Sequence, residues 1–147
     1  MKRLILLFVI IQFFNVLFSE SKFSVIFINN NKFIVELALT DKEHERGLMY
    51  RESIPENYGM LFVFKDNDIR YFWMKNTLIN LDIIYIDSNG IIQKIYHNVK
   101  PCKKEPCELY SSEIEVKFVL ELNGNTCKQK KIKIGDKIIG LSKLKNH

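Results

Sequence analysis

The chain has 147 residues, 47% apolar, 12% aromatic and 27% charged, a balance that excludes a disordered polypeptide and a multidomain enzyme and fits one ordinary core. Its formal charge of +5 comes from 22 Lys and Arg against 17 Asp and Glu. Only four of those basic residues are Arg (Arg3, Arg46, Arg51 and Arg70), and the excess of Lys, Ile and Asn is what A·T-rich codon usage produces, so the charge alone does not argue for nucleic acid.

The first segment stands apart from the fold. Lys2 and Arg3 precede an unbroken apolar run, Leu4 to Ile11, which continues through Phe18 to the small residues Ser19 and Ser21. This is the pattern of a secretory signal over residues 1–21. An uncleaved anchor is the rival reading, because the stretch is little short of the roughly 20 residues that a span needs; Gln12 and Asn15 weigh against it. Cleavage after Ser21 leaves residues 22–147 as a single β-rich domain with net charge +4. The expected location is extracytoplasmic, periplasmic or secreted, with membrane contact only through residues 1–21 if they are retained.

Next come two β-rich runs, Phe23 to Ile28 and Phe33 to Leu39, separated by Asn29-Asn30-Asn31, which reads as a hairpin. The period then changes. Thr40 with Glu43 three residues on has the form of a capping box, predicting one short surface helix over Asp41 to Met49 that ends near Gly47. Arg51 to Tyr58 reads as loop. Four further strands are expected at Met60 to Phe64, Ile69 to Lys75, Leu81 to Asp87 and Ile91 to Val99, with polar turn clusters between them. Val116 to Leu122 is another strand, and a last short run surrounds Gly135-Asp136. Between these, Cys102 and Cys107 flank Lys-Lys-Glu-Pro; in an exported chain a disulfide is favoured over free thiols or a metal site. Cys127 is left as a half-buried thiol near a turn. The fold class that follows is mainly β (α+β), a compact antiparallel β-barrel or sandwich-like domain with one short helix.

The blocks Arg46-Gly-Leu-Met-Tyr-Arg51, Gly59-Met-Leu-Phe-Val-Phe64, Tyr71-Phe-Trp-Met-Lys-Asn-Thr77, Leu81-Asp-Ile-Ile-Tyr-Ile-Asp87 and Val119-Leu-Glu-Leu122 followed by Gly135-Asp136 carry a resemblance. In content and order they resemble the domain-of-unknown-function family 192, over roughly Ile34 to Ile138. The resemblance implies a small β-rich domain, frequently exported, and carries no reaction, cofactor or catalytic residue.

The chemistry must therefore be read from the residues. Alternation puts Tyr71, Trp73 and Lys75 on one face of their strand, a ring beside a cation that could stack on a flat ligand and hold an anion; the competing reading makes Trp73 a core residue. Asn76 and Thr77 fall at that strand's end. Asp82 opens an apolar strand and needs a partner, with Arg46, Arg51 or Lys75 as candidates. The candidate site is a groove where the helix end (Arg46, Met49, Arg51) meets Trp73, Lys75, Asn76, Thr77 and Asp82. It would serve a non-enzymatic module that binds a small molecule or an envelope ligand, acts as a monomer, needs no cofactor and does not engage nucleic acid. Two alternatives stand beside it. His44, Met49, Met60 and Met74 are the soft side chains that a copper site would gather; Ser111, Asp82 and His97 could be assembled into a small hydrolase.

Overall fold

A computed structural model describes residues 22–144, so the signal-like segment 1–21 and His147 lie outside the described residues. Chain order is β1 (Phe23–Ile28), β2 (Asn31–Ala38), α1 (Asp41–Arg46), β3 (Tyr58–Phe72), β4 (Leu81–Ile86), β5 (Ile92–Val99), β6 (Tyr110–Asn123), α2 (Thr126–Gln129), β7 (Ile138–Ile139) and a closing 3₁₀ turn, Ser142–Leu144. The seven strands form one curled sheet in the order β5-β4-β6-β3-β2-β1-β7. Its two edges meet at one end, where Ile91 bridges Lys137 and the Ile138 N–H donates to the Gly90 carbonyl at 2.8 Å. The result is a mainly β half-barrel, as the residue pattern predicted.

Local chemistry explains most of the elements. Asn29 and Asn30 both take positive φ, 47° and 64°, the conformation that a two-residue hairpin between β1 and β2 demands and that Asn tolerates well. The capping box is formed. Thr40 Oγ1 accepts the Glu43 N–H, and Glu43 Oε2 accepts the N–H groups of Thr40 and Leu39. Gly47, at φ 47°, ends α1. Cys102 and Cys107 are joined in a disulfide.

Three features depart from the expected layout. Met60–Phe64 and Ile69–Lys75 are not two strands: both halves pair with β6, and the Lys-Asp-Asn-Asp run between them is an irregularity inside the single strand β3. Polar residues that would suit a turn instead loop out where the ladder shifts register. The sheet is not wholly antiparallel, since β2 and β3 run parallel and α1 lies in the crossover. A second short helix, α2, follows the Asn-Gly-Asn turn.

The central strands are covered on both faces, and every residue of β4 is buried. Inside the curl pack Ile26, Phe33, Leu61, Ile84, Phe118 and Leu120 with their neighbours. Outside it a second core, including Leu48, Met60, Phe62, Met74, Tyr85 and Val119, lies beneath α1 and the segments around Met74 and Cys102. Each large side chain so buried contributes about 1.5–3 kcal/mol.

Candidate functional site

The outer core is not closed everywhere. Between α1 with the turn that follows it and the end of β3 lies a cavity of about 350 Å³. Gly47, Leu48 and Met49 form one wall, Phe72, Trp73 and Thr77 the other, and Phe62 and Glu121 the floor. The walls are tied together, because the Tyr50 N–H donates to the Asn76 carbonyl at 2.8 Å and both residues adopt positive φ, 65° and 53°. Alternation along β3 persists just past its end, leaving Tyr71 and Trp73 exposed while Met74 is buried.

Glu121 is the unusual group. It sits in a strand whose neighbours Val119 and Leu120 are buried apolar residues, and it is itself 4% exposed. Among the described residues its Oε2 atom has no hydrogen-bond partner. Burial pushes the carboxyl up to about 8, with Arg51 opposing weakly, so at neutral pH it is protonated and can both donate and accept. The other buried side-chain polar atom without a partner among the described residues is Arg70 Nε, and Arg70 lines the same cavity. Its guanidinium lies 4.0 Å over the Phe64 ring and pairs with the Asp66 carboxylate. Gly47 keeps the floor open, for a Cβ there would stand 3.3 Å from Phe62 Cζ and 3.6 Å from Glu121 Oε2.

The structure brings together part of the expected groove. Arg46, Met49, Trp73 and Thr77 line the cavity, and Lys75 and Asn76 line an adjoining cleft that shares Arg46, Met49 and Trp73 with it. Trp73 is 41% exposed and is not a core residue; the Lys75 ammonium lies 5.4 Å from its ring and pairs with Glu105 at 2.8 Å. Arg51 faces elsewhere and holds Glu36 at 2.7 Å. Burial raises the Glu36 carboxyl, but hydrogen bonds from Arg51, Lys22 and Tyr58 outweigh it and hold the group below the usual range. Asp82 lies outside the groove. Among the described residues no cation pairs with it; instead it is fully buried, and its carboxylate accepts the backbone N–H groups of Asn98, Asn125 and Cys127. Cys127 is fully buried, not half-buried.

Nor do the soft side chains converge. His44 and Met49 line the cavity, whereas Met60 and Met74 are buried and line two other clefts. His44 Nε2 is 2.9 Å from the Ala38 carbonyl and its ring is 4.5 Å from Phe64. Ser111 accepts the Glu113 N–H, while Asp82 and His97 approach each other beside Cys127. Sequence reasoning passed over Glu121, Arg70, Phe62 and Phe72. One signal was present, a lone Glu in the apolar run Phe118 to Leu122.

A curled β half-barrel with a half-open cavity floored by one buried acid defines a class, the small β-rich domain. The chain belongs to the DUF192 family, whose model, described as Uncharacterized ACR, matches residues 24–140. A crystal structure of a Sinorhizobium meliloti 1021 protein described as a candidate transcription regulator is similar, at 38% identity and TM-score 0.70, over 74% of this chain and 82% of that one. A protein of unknown function from Novosphingobium aromaticivorans DSM 12444 is 29% identical with TM-score 0.73, over 83% of this chain and 88% of that one. No curated protein matches the sequence.

Proposed function

We propose that this domain is a non-enzymatic binding module for a small molecule held between Gly47–Met49 and Phe72–Trp73. One observation carries the reading: the two buried side-chain polar atoms without partners among the described residues, Glu121 Oε2 and Arg70 Nε, belong to residues lining one cavity. Leaving such groups unsatisfied costs about 1–3 kcal/mol each, and a ligand that supplies partners recovers it. The volume suits a compact ligand. Phe62, Phe72 and Trp73 favour a flat apolar body, Glu121 a hydrogen-bonding or cationic head, and Arg70 an acceptor.

The module acts as a monomer outside the cytoplasm. The apolar segment 1–21 and the Cys102–Cys107 disulfide support export, since disulfides persist in oxidising compartments. The regulatory role in the description of the Sinorhizobium protein is not carried to this chain.

The test is a thermal-shift screen of the full chain with small aromatic amines, amides and carboxylates, followed by titrations read through Trp73 emission. Hits should lose their shift in Glu121→Leu and weaken in Trp73→Ala. Compounds that stabilise wild type and Glu121→Leu equally would remove the cavity from consideration.

A further inference from the structure

A second polar cluster lies away from that cavity, where the start of β4, the end of β5 and α2 meet. One ligand-capable atom from each of Asp82, His97 and Cys127 lies within 4.8 Å of the other two. We propose that these three side chains form a binding site for a divalent cation of the zinc class.

One carboxylate oxygen, one imidazole nitrogen and one sulfur are the ligand types from which protein zinc sites are built, usually with three or four protein ligands. The set differs from the thioether-rich copper site weighed from the sequence, whose methionines lie elsewhere. The three atoms are also close enough to share one ion. Three atoms no more than 4.8 Å apart have a common point within about 2.8 Å of each, so an inward shift of roughly half an ångström gives ordinary zinc-ligand distances. His97 is exposed at the mouth of the cluster.

Two of the three groups are held in place before any ion arrives. Asp82 and Cys127 are fully buried, and the carboxylate is fixed by backbone bonds: the Asn98 and Asn125 N–H groups reach Oδ1 at 2.7 and 3.0 Å, and the Cys127 N–H reaches Oδ2 at 2.7 Å. Such bonds orient a ligand in the way that outer-shell partners do in metal sites. A carboxylate offers about four lone-pair positions, so three N–H bonds leave one on Oδ2. The Cys127 sulfur lies within 4.8 Å of the Asp82 carboxylate. A cation entering from the His97 side would take the place of the thiol proton, which passes to solvent. A purely structural Asp82 would need its three N–H donors, but neither the thiol nor the imidazole beside it.

The arrangement comes from two local irregularities. The β4–β5 register shifts between Leu81 and Ile83, and Asn98 takes φ 49°, which turns His97 and the Asn98 N–H toward Asp82. On the other side Asn125, at φ 69°, starts the helix that carries Cys127.

The experiment is a cobalt(II) titration of the full chain in oxygen-free buffer without reductant, so that the Cys102–Cys107 disulfide stays closed, with zinc(II) as competitor. One cobalt should bind per chain with a thiolate-to-cobalt absorption band that zinc abolishes. His97→Ala should bind at least about tenfold more weakly while melting like wild type without metal. Cys127→Ser should lose the band. The proposal fails if wild type shows no thiolate band, or if His97→Ala binds cobalt as tightly as wild type; the latter variant decides the matter even if Cys127→Ser does not fold.

Discussion

The two faces of β6 use the same backbone for opposite ends. Toward the inside of the curl it presents Phe118, Leu120 and Leu122, all fully buried in an apolar layer. Toward the outside it presents Val119 and then Glu121, a buried acid without a partner on Oε2, beside a cavity. The inner face is optimised for burial, whereas the outer face gives up stability at one place. Native structures rarely leave a buried polar atom unpaired, and sites that break the rule of consistency are where function is expected.

Phe118→Ala on the inner face should cost about 3–5 kcal/mol in urea unfolding, because the curled sheet cannot collapse around the void; a much smaller loss would mean that the inner layer is not the principal core. On the outer face Glu121→Gln should change the pH dependence of stability. The folded chain keeps the Glu121 proton up to about pH 8, while the unfolded chain releases it near 4.5. Its contribution is therefore fully present below about 4.5 and lost as pH rises to about 8, so wild type should fall relative to the variant by about 1.4 kcal/mol per pH unit across that window. Parallel urea midpoints for the two proteins over that range would show that Glu121 is ionised and partnered.

Smaller effects sharpen the same contrast. Gly47→Ala should cost about 1 kcal/mol, since φ 47° disfavours a side chain and the new methyl crowds Phe62. It should also weaken any ligand found for the cavity, measured by the same thermal shift. Trp73→Ala should change stability by less than about 1 kcal/mol, because the ring is part exposed, yet reduce ligand response more than any other change in the cavity wall. A large stability loss with no change in ligand response would return Trp73 to the core.

How much of this was legible in the sequence depended on range. Short-range chemistry was readable: the Asn-rich hairpin, the Thr40–Glu43 box and the Cys102–Cys107 pair; of the expected groove, Arg46, Met49, Trp73 and Thr77 line the cavity whereas Arg51 and Asp82 do not. What depended on distant backbone was not. Asp82 looked for a cation because a buried carboxylate needs partners; those partners are N–H groups that exist only once β5 has shifted register and the chain after β6 has turned. Lys65 to Asp68 has the composition of a turn, and only pairing of both halves of β3 with β6 makes it an irregularity within one strand. Glu121 looked like a detail of an apolar strand. Its meaning depends on what covers the outer face, and that covering comes from α1, some 75 residues earlier in the chain.

The junction of Ile91 with Lys137 bears on how copies of this chain meet. An open sheet offers two rows of unpaired N–H and C=O groups on which a second molecule can add a strand. Here β7 is two residues long, and the Gly90 carbonyl and the Ile92 N–H beside it are already engaged by Ile138 and Asp136. The remainder of β5 carries Gln93, Lys94 and His97, side chains that discourage edge-to-edge growth. The same closure that shapes the curl therefore also occupies, at this junction, backbone groups on which a second molecule could otherwise add a strand.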